Sequence, residues 1–117
     1  MDLRDLVATL LVHDALGARA WLTEARHSGF RWQDVPEPSG LQAIELALAA
    51  GIVETMAGRA GVAAPTWTSS VSASPHPFYL VRAAHTMPRL RRLCDEEGPE
   101  PLRRRGLLAP PNFLDAA

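Results

Sequence analysis

Arginine is the most chemically suggestive residue type in this sequence, and it is concentrated near the C-terminus. Six of the 12 basic residues lie between positions 89 and 105, in the segments 89–92 and 103–105. A guanidinium group pairs through two parallel hydrogen bonds with a carboxylate or a phosphate. The cluster predicts one of two kinds of surface. The first is a docking surface for an acidic partner protein or for a nucleic-acid backbone. The second is a charged helix surface whose arginines form ion pairs within the chain. The arginines that we predict to contact a partner are Arg89, Arg92, Arg103, Arg104 and Arg105.

The other residues with catalytic potential do not form a known catalytic or metal-binding pattern. No two of the four histidines have metal-ligand spacing, and no Cys-x-x-Cys pair accompanies them. Glu45 and Glu54 are nine residues apart, which places them about 180° apart around a helix, so they cannot form an acid/base pair. The sequence also lacks a nucleophile elbow and a phosphate-binding glycine loop. We predict no catalytic, cofactor-binding or metal-binding residue. An enzyme subunit that completes a shared site with Glu54, His76 or His85 stays an alternative.

Composition narrows the class of protein. With 117 residues and a net charge of −1, the chain has the size of one domain, predicted over residues 1–117, and no overall field that attracts nucleic acid or an acidic membrane. Its one cysteine, Cys94, excludes a disulfide within the chain. The N-terminus carries acids where an export signal carries basic residues. The longest apolar stretch, Ile44 to Met56, is too short for a membrane span. We expect a cytoplasmic protein.

The first 28 residues have the pattern of one or two amphipathic helices. Apolar residues from position 3 to 11 recur with the spacing of one helical face, and Asp2 fits the N-cap. The pattern continues through Leu16 and Leu22, either in the same helix or in a second one that Asp14 caps. Gly29 fits the position after the helix end.

A central helix is predicted after a proline-containing loop over residues 30–38. Ser39 and Gln42 have the spacing of a capping box at its start, and Gly58 and Gly61 fit its end. Small residues within it, among them Gly51, predict the close approach of a neighbouring helix.

The segment over residues 63–77 is rich in Ser, Thr, Pro and Ala, and we expect an ordered loop that Trp67 anchors. The apolar run that follows, over residues 78–84, is compatible with a helix or a short strand. Pro77 at a first helical position favours the helix.

The C-terminal part predicts two more helices and a tail. One helix has Thr86 as its N-cap and stops at Gly98, and a short helix over residues 102–105 follows Pro101. The apolar tail over residues 107–114 contains two prolines and is expected to lie across the core in an extended or one-turn form. The predicted fold is an all-α compact bundle of about four to five helices, with an irregular Pro/Ser-rich loop and an extended C-terminal tail.

Three short motifs in the C-terminal half resemble a group of short bacterial proteins. They are Pro65-Thr66-Trp67-Thr68, Pro77-Phe78-Tyr79-Leu80, and the run from Leu102-Arg103-Arg104-Arg105 through Asn112-Phe113-Leu114. These motifs are similar to those of antitoxins whose paired toxins are nucleotidyltransferase-like. The resemblance covers about half of the chain. It implies a non-catalytic protein that holds an enzyme inactive by direct contact, and it adds Trp67 and Phe113 to the predicted partner-binding residues.

Three functional hypotheses follow from the sequence. The first is a protein-interaction module of antitoxin type that binds an acidic partner protein. We expect this module to have no cofactor of its own. The second is a DNA-binding regulator that places its arginines on phosphates, although no helix-turn-helix is visible. The third is the enzyme subunit. The sequence leaves open whether the chain forms homo-oligomers.

Overall fold

The computed structural model describes residues 1–115 and confirms the predicted all-α class. The α-helices are α1 (Leu3–Leu11), α2 (Ala15–His27), α3 (Ile44–Ala60), α4 (Pro88–Glu97) and α5 (Glu100–Arg103). Short 3₁₀ helices lie at Trp32–Asp34, Thr66–Ser70 and Arg82–His85, and two short strands are β1 (Phe78–Tyr79) and β2 (Leu107–Leu108). Within residues 1–115, no helix combines the length and the apolar character that crossing a membrane requires.

Residues 3–28 form two helices rather than one. The Asp2 carboxylate accepts a hydrogen bond from the backbone N–H of Arg4, and the Asp14 carboxylate accepts one from Gly17, so both predicted N-caps are confirmed. Between the helices His13 has a φ of 58°, a left-handed conformation that a right-handed helix cannot continue. The expectation for Leu16 was wrong: it lies outside the buried stripe of α2 and is exposed.

The start of α3 contradicts the predicted capping box. The N-cap residue is Ala43, and no side chain caps the helix. Ser39 lies five residues before the first helical residue, Ile44, so its hydroxyl is too distant in the chain to occupy the capping position. Gln42 also lies outside the helix. The predicted end is confirmed, because Gly61 is the C-cap and has a left-handed φ of 71°.

Helix α3 is the centre of the core, and α1 and α5 both pack against it. Its side chains Leu48, Ile52 and Val53 are fully buried. A Cβ atom on Gly51 would lie 2.5 Å from Cδ2 of Leu102 in α5. The missing side chain of Gly51 therefore admits α5, and the predicted close approach of a second helix is confirmed.

Residues 78–81 do not start a helix, contrary to the expectation drawn from Pro77. Phe78 and Tyr79 form β1, which pairs in parallel with β2. The backbone N–H of Phe78 donates to the carbonyl of Gly106 at 2.9 Å, and that of Leu80 donates to Leu108 at 2.8 Å. The start of the C-terminal tail, at β2, supplies these acceptors and holds the segment in a strand, while residues 111–114 of the tail form a turn.

The last two helices differ from the prediction at their starts. Met87, not Thr86, is the N-cap of α4, and Pro88 occupies the first turn; the Thr86 hydroxyl instead donates to the Ala83 carbonyl. Gly98 ends α4 as predicted. Helix α5 covers Glu100–Arg103 rather than residues 102–105.

Candidate protein-binding surface

Arg105, one of the predicted partner-binding residues, is buried in the structure. It is 3% exposed, and its guanidinium group joins three parts of the chain. Nη1 donates to Oε1 of Glu54 at 2.7 Å and to the Pro101 carbonyl at 2.8 Å, and Nη2 donates to the Thr68 carbonyl at 2.8 Å. The prediction that Arg105 lies on a contact surface is therefore wrong, because its hydrogen bonds face α3 and the 3₁₀ helix at Thr66–Ser70.

Arg104 and Arg103 also form bonds within the chain. Arg104 forms salt bridges with Glu54 and with Glu100, and the Arg103 guanidinium donates to the backbone carbonyl of Glu96. The Arg104 side chain stays 47% exposed, so part of its surface faces solvent. The three arginines fix α5 to α3 and to the end of α4, which leaves little of this segment for a partner.

Glu54 is the carboxylate that holds this network together. Its side chain is 12% exposed and accepts hydrogen bonds from both Arg104 and Arg105. Burial by itself raises the pKa of Glu54, but hydrogen bonding to Arg105 and Thr68, together with the positive charges of Arg105 and Arg104, outweighs it, so the pKa lies below its usual value. An ionised carboxylate held by two arginines suits an ion pair better than a general acid or base.

The arginines of α4 are arranged differently. Arg91 lies over the ring of Tyr79, with its Cζ atom 5.2 Å from the ring centroid, and its Nε donates to the Tyr79 hydroxyl at 3.1 Å. That hydroxyl donates to Asp95 at 2.6 Å, and this hydrogen bond raises the pKa of Tyr79. Arg91 is thereby held against β1.

Arg89 and Arg92 remain available on the surface of α4. Both are exposed, and their spacing of three residues places them on the same side of the helix. Neither forms a salt bridge with a carboxylate of residues 1–115. Of the five predicted partner-binding arginines, they are the two whose side chains form neither a salt bridge nor a hydrogen bond within residues 1–115, since Arg103 donates to a backbone carbonyl and Arg104 and Arg105 form salt bridges.

The two predicted aromatic contact residues are partly buried. The Trp67 indole N–H donates to the Val35 carbonyl at 2.8 Å, so this side chain ties the 3₁₀ helix at Thr66–Ser70 to the loop before α3, and the predicted anchoring role is confirmed. Phe113 packs against the core from the C-terminal tail and also lines an open groove beside α2. Of the two, Phe113 lies beside space that a ligand can enter.

Of the three residues proposed for the alternative enzyme site, two are engaged in other contacts and one is exposed in a loop. Glu54 is in the arginine network, and His85 packs edge-on against the Tyr79 ring, with centroids 5.7 Å apart. His76 is exposed in the loop before β1. Within residues 1–115, no group of three or more His, Cys, Asp or Glu side chains has the arrangement of a metal site.

Sequence reasoning missed one surface feature, the groove beside α2. It brings together Leu10, Ala15, Val81 and Phe113, which are distant in the sequence. Because the lining comes from separate parts of the chain, no local sequence pattern indicated the groove. Comparison of the chain with protein-family models, curated proteins and solved structures finds no match.

Proposed function

We propose that the chain is a non-catalytic cytoplasmic protein that binds an acidic partner protein through the exposed side of α4. The resemblance of its C-terminal motifs to those of antitoxins makes a nucleotidyltransferase-like toxin the proposed partner. In that role the chain inhibits the partner enzyme by direct contact and performs no chemistry itself.

The observation that carries the proposal is the contrast between the two arginine segments. Arg104 and Arg105 pair with the chain's own carboxylates. Arg89 and Arg92 are exposed and form no salt bridge with residues 1–115. Arginine is enriched at protein interfaces, where its planar group binds carboxylates in two-pronged geometry. Two such side chains on one side of a helix support a role in docking an acidic surface.

The experiment is coexpression with the product of the adjacent gene, followed by size-exclusion chromatography and a growth assay. We expect the two proteins to elute together and the chain to restore growth of cells that express the neighbour. In R89E/R92E the dissociation constant should rise at least tenfold, about 1.4 kcal/mol, because two attractive contacts become repulsive. The unfolding midpoint should stay unchanged, since neither residue has a salt bridge within residues 1–115 to lose.

R31E is the matched control. Arg31 is also exposed but pairs locally with Asp34 at 2.6 Å, so its reversal changes the net charge without touching α4. The proposal fails if the chain elutes alone and gives no protection, or if R89E/R92E binds as tightly as the R31E control.

The same exposed arginines also suit contacts with phosphate groups, so the nucleic-acid alternative is tested by one direct measurement. Binding to a duplex DNA probe across salt concentrations distinguishes the two functions, because each phosphate contact steepens the salt dependence by about one unit of slope. We expect no binding at physiological salt. Binding that weakens steeply with salt and is lost in R89E/R92E would replace the protein-partner proposal with the DNA one.

A further inference from the structure

The outer side of α2 carries a stripe of four residues with the spacing of a coiled-coil seam. The stripe consists of Leu16, Ala20, Thr23 and His27. Their successive separations of four, three and four residues are those of core positions in a heptad. At 100° per residue the four lie within about 60° of one another, and the buried residues of α2 lie on the opposite side of the helix.

The stripe faces solvent in the single chain. Leu16 is 80% exposed and is the most exposed of the large apolar side chains in residues 1–115. Ala20 and His27 are also exposed, and Thr23 is half-buried. Because the core side of α2 points away from the stripe, a second helix can lie along it without meeting the body of its own chain.

Opposite charges flank the stripe. Arg19 precedes Ala20 on one flank, and Glu24 follows Thr23 on the other. Both residues are exposed, and neither forms a salt bridge within residues 1–115. In a heptad these are the two positions that form salt bridges across a helix pair.

The other charges near α2 do not reverse this pattern. Arg26 lies on the same flank as Arg19, so that flank is basic. Asp14 precedes the helix, and its carboxylate accepts a hydrogen bond from the N–H of Gly17 at 2.9 Å. Asp115, which lines a groove together with Arg19, pairs with an arginine of α3 at 3.2 Å. One flank of the stripe is therefore basic, and the other carries Glu24.

We propose that this stripe binds the same stripe of a second copy of the chain, with the two α2 helices parallel about a two-fold axis. In a parallel pair, a flanking residue of one helix faces the residue five positions later in the other. Arg19 then faces Glu24 of the second copy, and the two-fold axis forms the same pair again. An antiparallel pair would instead bring the two basic flanks together, which is unfavourable. The charges thus favour a second copy and fix its direction.

The stripe also provides the packing for such a pair. Leu16 meets Leu16 of the second copy across the axis, and leucine at this heptad position is typical of two-stranded parallel pairs. Ala20 has a small side chain that lets the helix axes approach closely. The fold already holds α2 as a helix, so pairing does not have to order it. A contact of two heptads is small, and we expect a weak, reversible dimer.

Sedimentation velocity of the full chain tests the proposal, over about 10 µM to about 1 mM, a range suited to a small interface. We expect the average mass to rise with concentration from that of one copy towards that of two. R19E and E24R should each weaken self-association at least tenfold, because each makes both cross-pairs repulsive. An equimolar mixture of the two variants should associate like the unchanged chain, since one native and one reversed pair then form.

Two matched controls separate the stripe from general effects of charge and exposure. Arg82 is exposed like Arg19 and forms no salt bridge within residues 1–115, but it lies outside α2, so R82E should associate normally. L16E should weaken association at least tenfold. M87E should not, although Met87 is 52% exposed. All variants should keep the unfolding midpoint of the unchanged chain.

The direction of the helices has its own measurement. Two copies of residue 27 face each other only in a parallel pair, so H27C should form a disulfide between copies under mild oxidation. H76C, an exposed position in the loop before β1, is the control for random collision and should react at least tenfold more slowly. Equal rates would contradict the parallel arrangement.

Three further results would overturn the proposal: a constant monomer mass up to the highest concentration, association of R19E equal to that of the unchanged chain, or no recovery in the mixture of R19E and E24R. The proposal goes beyond the partner-binding function and does not depend on it. R89E/R92E should self-associate normally, so loss of the partner complex in that variant concerns α4 alone. Loss of the dimer in R89E/R92E but not in R19E would place the second copy on α4 and contradict the proposal.

Discussion

Removal of the Glu54 charge is the perturbation that tests most directly how the arginine-rich segment is held. In E54Q the guanidinium group of Arg105 keeps its two backbone acceptors but loses the one carboxylate that pairs with it within residues 1–115, while its side chain is 4% exposed. Breaking a buried ion pair by removing one partner costs about 3–5 kcal/mol, because an uncompensated charge remains. We expect a loss in this range, large against a typical total stability of about 5–15 kcal/mol.

Urea denaturation followed by tryptophan fluorescence measures this loss. With a urea dependence of about 2 kcal/mol per M, the unfolding midpoint of E54Q should fall by about 1.5–2.5 M. Glu45→Gln is the control, because Glu45 lies on the same helix and forms no salt bridge within residues 1–115. Its effect should stay within about 0.5 kcal/mol.

The double variant E54L/R105M distinguishes a lost charge pair from a damaged helix. Nε of Arg105 is buried without a hydrogen-bond partner in the described chain, so an apolar side chain of similar length removes an unsatisfied donor as well as the charge. We expect the double variant to be at least 1 kcal/mol more stable than E54Q, since no buried charge is left unpaired. Equal stabilities of E54Q and E45Q would refute the reasoning.

Three further outcomes follow from the fold and the pKa directions. Gly51→Ala should destabilise the chain by about 1–3 kcal/mol in urea denaturation, because the added Cβ would overlap Leu102. Gly58→Ala is the control on the same helix: the added Cβ would lie in open space, so this variant should be about 0.5–1 kcal/mol more stable than the unchanged chain. Because folding lowers the pKa of Glu54 from its ordinary value of 4.5, the ionised carboxylate stabilises the fold at pH values above 4.5, and this stabilisation is lost as the pH falls through the lowered pKa. As the pH is lowered, the unfolding midpoint should therefore decrease less steeply in E54Q than in the unchanged chain. Burial raises the pKa of the Cys94 thiol, with the neighbouring charge of Asp95 adding to it, and the residue is fully buried; a disulfide reagent should modify it rapidly in urea and at least a hundredfold more slowly in the folded protein.

Some features that depend on neighbouring residues were predictable from the sequence, although the caps predicted at Ser39 and Thr86 were wrong. Asp2 and Asp14 cap their helices because an N-cap contacts backbone groups two or three residues away. Gly51 indicated a close helix contact because it has no side chain, although the sequence did not identify Leu102 as the residue opposite.

Features that depend on distant residues were missed or misjudged. Phe78 and Tyr79 form a strand because the carbonyls of residues 106 and 108 accept hydrogen bonds from the backbone N–H groups of Phe78 and Leu80, whereas local preference favoured a helix. The same holds for Arg105, whose partners Glu54 and Thr68 lie 51 and 37 residues away in the sequence. Three consecutive arginines look alike in a sequence, and only the fold turns one of them inward.

The division between the two arginine segments makes the proposed function separable from folding. Arg105 cannot be changed without disturbing the contact between α5 and α3, so a loss of partner binding in an Arg105 variant carries no information about docking. Arg89 and Arg92 have no salt bridge in the described chain, and their reversal changes the surface charge while the core stays as it is. If the variant R89E/R92E and the unchanged chain have equal unfolding midpoints but differ in their affinity for the partner, the partner must therefore contact α4 itself.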